Sequence, residues 1–217
     1  MIRLGVLVSG SGTNLQSILD ACERGDIDGQ VAVVVSNVAD AYALKRADHK
    51  GVPTRRVSHK EYPDREDFDR ELIRILKEFQ IDLVALAGFM RILTPAFLRA
   101  FPGRIMNIHP ALLPAFPGLG VRQAAIEHGV RFSGCTVHFV DEGVDTGPII
   151  IQAVVPVYPD DTEDVLRERI LSLEHKIYPK AIQLFVEGRL TVAGRKVYIR
   201  DLQKDEDRWL VNPPLDS

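Results

Sequence analysis

Asn107, His109 and Asp145 are the residues of this chain whose types could do chemistry together. Asn107 and His109 stand two apart in "IMNIHP", so in an extended segment both point to one face while Met106 and Ile108 point to the other. Pro110 then ends the strand, which places the pair at a strand's C-terminal end, where ligands bind in open α/β sheets. Asp145 lies in "DEGVDTGPI", where the chain turns sharply into an apolar run. An amide donor, an imidazole and a carboxylate suit acyl transfer without a protein nucleophile. As an amine attacks a carbonyl, negative charge grows on oxygen, and each well-placed N–H donor stabilises it by about 3–4 kcal/mol. A carboxylate beside the ring orients it, favours its protonated form and helps carry the proton away from the amine. Each residue taken alone keeps a plainer reading: a buried histidine bonded to a carbonyl, or a solvated aspartate in a turn.

A second constellation is "VLVSGSGTNLQ". Gly10 and Gly12 follow a strand-like run and open a helix, with Ser11, Thr13 and Asn14 supplying hydroxyl and amide groups. Backbone N–H groups at such a turn, helped by the helix dipole, form a phosphate site. The alternative is an ordinary tight βα turn. Leu15 stands where a dinucleotide fingerprint needs its third glycine, and no GK[ST] follows, which excludes an ATP-type P-loop. Other chemistries fit poorly. Asp141, Glu142 and Asp145 lack the ligand spacing of a calcium loop, so no metal is expected. No second carboxylate is placed for glycoside hydrolysis, and "SGSG" is not a nucleophile elbow.

The elements that must position these residues alternate along the chain. Residues 2–8, 30–37 and 82–88 read as buried strands, as does the run carrying Asn107 and His109. "NLQSILDACERG", "DAYALKRADHKG" and residues 64–79 read as helices, the last placing Phe68, Leu72, Ile75, Leu76 and Phe79 on one stripe. "VRQAAIEHG" follows as a helix. This rhythm predicts a Rossmann-like α/β fold, a mostly parallel sheet with helices on both faces. From residue 133 the pattern changes: "SGCTVHFVD" and "GPIIIQAVVPV" predict an antiparallel pair. A long helix then starts after an Asp161 or Thr162 cap, and its Pro179 is expected to kink or divide it. Residues 1–200 are expected to form one domain, with a loosely held tail over 201–217.

Composition sets the outer limits. The chain is 46% apolar and 26% charged with a net charge of −3, which argues against nucleic acid or an anionic membrane as partner. No run reaches membrane-spanning length. The chain opens directly on a strand-like segment, and Cys22 and Cys135 have no CxxC neighbour; together these predict a cytoplasmic protein with reduced, buried thiols.

Several ordered motifs resemble the phosphoribosylglycinamide formyltransferases: "SGSGTNLQ", "SNVADAYALKRA", "LAGFMRIL", "NIHPALLPAFPG", "GCTVHFVDEGVDTGPIIIQ" and "LEHKIYP". The penultimate stretch fits the folate formyltransferase signature through Gly134, Asp145 and Gly147. The resemblance implies the formyltransferase fold and the transfer of a formyl group from 10-formyltetrahydrofolate to glycinamide ribonucleotide, with no metal. The phosphate half would be residues 1–100 and the folate and catalytic half residues 101–200. Gly12, Thr13 and Asn14 would cradle the phosphate, and Gly88 and Glu174 would hold the sugar and glycinamide. Met90, Arg91, Ile92 and Leu93 would line the folate pocket together with Asn107, and Arg65 would meet the folate's charged tail. Val140, Asp141, Glu142, Gly143 and Val144 would form a loop over the pterin. Asn107, His109 and Asp145 would be the catalytic set; His138 resembles a family residue near the site and stands outside that set, its role left open. Leu171 departs from the pattern, standing where a glutamine can contact the substrate. The implied partners are small molecules only, for a monomer or homodimer. A tRNA formyltransferase would need a further basic C-terminal domain, and a formyltetrahydrofolate deformylase an extra N-terminal one. A non-catalytic folate- or nucleotide-binding module is the alternative of another class.

Overall fold

The computed structural model describes residues 1–202 together with Leu210 and Asn212. Its strands are β1 (Ile2–Val8), β2 (Gly29–Ser36), β3 (Thr54–Arg56), β4 (Leu83–Leu86), β5 (Ile105–His109), β6 (Phe132–Phe139), β7 (Ile149–Pro156), β8 (Leu190–Ala193) and β9 (Lys196–Ile199). The helices are α1 (Thr13–Arg24), α2 (Tyr42–His49), α3 (Arg65–Glu78), α4 (Pro95–Ala100), α5 (Val121–Glu127) and α6 (Glu163–Val186). One sheet runs in the order β3-β2-β1-β4-β5-β6-β7-β9-β8. Neighbouring strands from β3 to β5 are parallel, whereas β6 is antiparallel to both β5 and β7. The expected parallel sheet with an antiparallel pair in its C-terminal part is therefore present.

Alternation along the strands divides the core into layers. Val6, Val8, Leu83, Ala85, Met106 and Ile108 pack beneath α1, α2 and α6. On the other face Leu7, Val84, Leu86 and Ile105 meet Phe68, Leu72, Ile75 and Leu76 of α3 and Phe97 of α4. Each such buried side chain contributes about 1.5–3 kcal/mol, enough to settle which strand face is which. Asn107 and His109 consequently share the face of α3 and α4.

Pro179 neither ends nor divides its helix: α6 is continuous from Glu163 to Val186, with Thr162 as the cap. An interior proline costs about 3 kcal/mol. Tyr178, Ala181 and Ile182 around it are fully buried, and their burial outweighs that cost. Tyr178 also donates its hydroxyl proton between the carbonyls of Leu86 and Met106, each 3.0 Å away, tying α6 to the ends of β4 and β5. Three strands, β3, β8 and β9, carry no clear sequence signal because they are short and largely exposed. The tail expected over 201–217 lies mostly outside the described residues; Asn212 donates its side-chain amide to the carbonyls of Arg131 and Val157.

Candidate active site

Three parallel strands that lie side by side, β1, β4 and β5, deliver their C-terminal ends to one region. The turn Ser9–Gly12 follows β1, the loop 87–94 follows β4, and Asn107 and His109 end β5. The loop between β6 and β7 folds back over the same face and brings Asp145 with it. Asp145 has φ of 54°, a left-handed conformation that aspartate tolerates better than most residues. Gly147 two residues on has no room for a Cβ, which would collide with the Phe139 carbonyl.

The Asp145 carboxylate is the hub. Its Oδ2 lies 3.3 Å from His109 Nδ1 and accepts from the Gly118 N–H at 2.9 Å. Its Oδ1 lies 3.5 Å from Asn107 Nδ2 and 3.7 Å from His138 Nε2. Burial alone would push this carboxyl up; the contact with His138, the Gly118 N–H and the neighbouring His109 together bring it below the ordinary carboxylate range. The site thus holds an ionised acid at neutral pH. His109 Nε2 faces the Phe116 carbonyl at 2.8 Å, so both ring nitrogens lie beside oxygen atoms.

His138, which the family resemblance places near the site with its role left open, sits directly opposite Asn107 in the β5–β6 register. Its Nδ1 is 2.8 Å from the Phe139 carbonyl, which fixes the proton there and leaves Nε2, 3.3 Å from Asn107 Nδ2, as an acceptor. The signal was present in "CTVHF": Thr136 and His138 alternate as polar residues in an otherwise apolar strand. Thr136 pins the wall of the site, donating to the Ala111 carbonyl at 2.7 Å while accepting from the Leu113 N–H and from Gln152.

The turn after β1 has Gly12 at φ 72° as the N-cap of α1, with no side chain capping the first turn and no acidic residue in it. Its first N–H groups are therefore open to an anion. Asn14 donates from Nδ2 to Glu174 Oε2 at 2.7 Å, and Asn14 Oδ1 is buried without a partner. Glu174 is buried too, which pushes its carboxyl up despite the Asn14 hydrogen bond and the Arg122 charge. Asn14 Oδ1 thus awaits a donor such as an amine or a sugar hydroxyl. Leu171, one turn earlier on α6, is half-buried and offers no polar group.

Ser9 links this turn to the next loop: it accepts from the Met90 N–H at 2.9 Å and donates to Asn37 Oδ1 at 2.6 Å. Gly88, at φ 73°, makes the bend after β4 in a conformation that favours glycine. Met90 and Ile92 are 60% and 55% exposed, whereas the Leu93 side chain is buried in the core with Phe97 and Phe101. Arg65 and Arg91 line one cavity of about 200 Å³ with His59, Tyr62 and Phe68. Beneath it, buried Asp69 accepts from the Thr94 N–H at 2.6 Å. In the β6–β7 loop Val140 packs on the core and Val144 is exposed. Asp141 braces this loop, accepting from the Gly143 N–H and the Thr146 hydroxyl, while Glu142 faces solvent.

Cys22 and Cys135 are free, and burial pushes their thiols up to about 11 and about 12. Cys135 is buried as expected, whereas Cys22 is only partly buried at the margin of the core. Among the described residues no helix is long and apolar enough to cross a membrane.

Comparison with known proteins matches this architecture. The formyl transferase family profile covers residues 2–182. The phosphoribosylglycinamide formyltransferase of Haemophilus influenzae is 45% identical over 92% of this chain and 94% of its own length. That of Escherichia coli K12 is 48% identical over 87% of this chain and 89% of its own length. The chain also matches the trifunctional purine biosynthetic protein adenosine-3 of Drosophila melanogaster at 49% identity, spanning 88% of this chain but only 14% of that larger protein. Among solved structures, glycinamide ribonucleotide transformylase 1 from Symbiobacterium toebii superposes with a TM-score of 0.91 at 58% identity, over 92% of this chain and 94% of that one. With the family profile, near full-length relatives and the fold in agreement, the chain belongs to the phosphoribosylglycinamide formyltransferases.

Proposed function

We propose that this protein transfers the formyl group of 10-formyltetrahydrofolate to the amino group of glycinamide ribonucleotide in de novo purine synthesis, giving formylglycinamide ribonucleotide and tetrahydrofolate. The observation that carries the reading is the hub at Asp145, which holds an imidazole and an amide side by side at the end of β5. In the reaction the substrate amine forms a bond to the formyl carbon, the bond from that carbon to the folate nitrogen breaks, and one proton passes from the incoming to the departing nitrogen.

The chain's own groups can serve each part. His109 Nδ1 is held by the carboxylate, so its Nε2 is the atom free to exchange the Phe116 carbonyl for the formyl oxygen. Asn107 Nδ2 has one hydrogen directed at His138; the other makes only a 3.5 Å contact with Asp145 and is the second donor to that oxygen. Two such donors supply about 6–8 kcal/mol if both are well placed in the transition state. Asp145 stabilises the imidazolium and offers a route for the proton, while His138 orients the Asn107 amide. Gly12, Thr13 and Asn14 receive the phosphate, Gly88 allows close approach of the sugar, and Glu174 with Asn14 Oδ1 holds the glycinamide end. Met90, Ile92 and Val144 cover the pterin, and Arg65 and Arg91 meet the folate carboxylates.

The test is formyl transfer by purified protein, followed by folate absorbance, from 10-formyltetrahydrofolate to glycinamide ribonucleotide. Turnover that requires both substrates is expected. Folded protein that binds both but gives no product at saturation would instead make it a binding module.

A further inference from the structure

A phosphate seated at Gly12–Asn14 brings two negative charges to a turn that already neighbours a carboxylate, Glu174. A helix N-terminus supplies only about half a positive charge. The site as assigned so far is short of cations.

One guanidinium is built into this turn. Arg46, on α2, donates from Nε to the Ser11 carbonyl at 2.9 Å and from one terminal nitrogen to Gln16 Oε1 at 3.3 Å. Its guanidinium carbon lies 4.9 Å from the centre of the Tyr42 ring. Among the described residues its other terminal nitrogen has no partner and Arg46 forms no ion pair. The helix that carries it is fastened to the same turn: the Ala43 N–H donates to the Gly10 carbonyl at 3.1 Å. A Cβ on Gly12 would stand 2.6 Å from that of Ala43, so glycine is what allows the two segments to meet.

Beside the turn opens a cavity of about 330 Å³ lined by Thr13, Gln16, Arg46 and His175 among others. His175 follows Glu174 on α6, and its Nε2 is buried without a hydrogen-bond partner. Burial pushes this histidine down, a direction the Glu168 carboxylate opposes and the Arg46 charge reinforces. The Nε2 nitrogen is thus a polar atom without a partner beside the cavity. The remaining charges on the cavity are matched locally, Asp20 by Lys50 and Arg24 by Asp26.

The geometry points to Arg46, with His175 as a second donor, as the residues that select a phosphorylated substrate at this turn; the assignment rests on the transferase reading above. Arg46 supplies the full charge the helix lacks, in a guanidinium already oriented by two hydrogen bonds, and planar N–H groups suit phosphate oxygens.

Arg46→Gln should raise the KM for glycinamide ribonucleotide about tenfold to a hundredfold, the span for losing a hydrogen bond to a charged group, and leave the KM for 10-formyltetrahydrofolate unchanged. Arg46→Lys should recover part of the loss, and His175→Gln should show a smaller rise in the same KM. Calorimetric titration with ribose 5-phosphate reads the site without turnover: binding should weaken by the same factor in Arg46→Gln. An active wild type whose KM for the ribonucleotide is untouched by Arg46→Gln would overturn the assignment, as would equal losses for Gln and Lys. An inactive wild type that still binds ribose 5-phosphate through Arg46 would remove the transferase reading and leave the anion assignment standing.

Discussion

Asp145→Asn separates charge from shape at the hub. With its amide oxygen in the position of Oδ2, the new side chain keeps both the Gly118 N–H and His109 Nδ1 as donors. Its NH2 then takes the place of Oδ1, so the weak 3.5 Å contact with the Asn107 amide is lost while the two contacts at Oδ2 that hold the loop remain. The loop therefore stays in place and the negative charge disappears. At 3.3 Å between His109 Nδ1 and the carboxylate, and an effective dielectric of about 20, the lost ion-pair attraction is about 5 kcal/mol. Part of it acts before the transition state, so about 3–4 kcal/mol should appear in the barrier, or a fall in kcat of about 10²–10³. The assay is steady-state formyl transfer, with both KM values and the thermal midpoint measured on the same preparation. Near-native KM values and a large loss of kcat are expected. The sign on stability follows from the lowered carboxyl pKa. Asp145 contributes stability above its unfolded pKa and loses that contribution as pH falls through its folded one. The variant should therefore melt somewhat lower than wild type at pH 7, and the gap should close in acid. A kcat within threefold of wild type would refute the role given to this carboxylate.

Glu174→Gln should raise the thermal midpoint at pH 7–8 while raising the KM for glycinamide ribonucleotide. Burial pushes the Glu174 carboxyl up, so the wild type loses stability as pH rises through the folded pKa, and an amide removes that loss; midpoints that coincide at every pH would contradict it. Asp69→Asn should raise the KM for 10-formyltetrahydrofolate several-fold and spare that for the ribonucleotide. The buried carboxylate anchors the Thr94 N–H and balances Arg65 and Arg91, and equal changes in both KM values would speak against so local an effect. Gly12→Ala places a Cβ against Ala43 at a positive φ; a loss of about 1–3 kcal/mol in chemical denaturation is expected, together with weaker ribose 5-phosphate binding.

What was legible in the sequence follows the reach of each physical signal. A period of two assigned Asn107 and His109 to one face without any knowledge of their partners, and the βα turn at Gly12 was readable because glycine marks positive φ. Asp145 was legible by chemical complementarity, not by position. It stands 38 residues from Asn107 and arrives there through a loop whose path depends on a left-handed aspartate and a glycine too crowded for any side chain. His138 and Thr136 sent a signal of the same kind as Asn107 and His109, alternation in a strand, but one that becomes informative only once β6 is known to lie against β5. Phe116 and Ser11 act through their carbonyls, which side-chain type does not announce. Short exposed strands such as β3 and β8 were silent because they bury too little to need a pattern.

Pro179 shows most directly why such signals had to be weighed against tertiary packing. A rule drawn from local geometry expects a break, yet the helix that passes through it carries Leu171, Glu174, His175 and Tyr178 on successive turns. Tyr178 spans the ends of β4 and β5, Glu174 holds the Asn14 amide, and His175 borders the cavity beside Arg46. In the reading proposed here, the phosphate, the amine and the formyl group of the two substrates must be kept at fixed separations. Buried residues hold α6 on both sides of the proline, Leu166, Ile170 and Tyr178 before it and Ala181 and Ile182 after it. Ala181 and Ile182, buried just beyond the proline, keep the rod whole. The same helix thereby sets the distance from the phosphate turn after β1 to the donors that end β5, a separation that neither loop alone could hold.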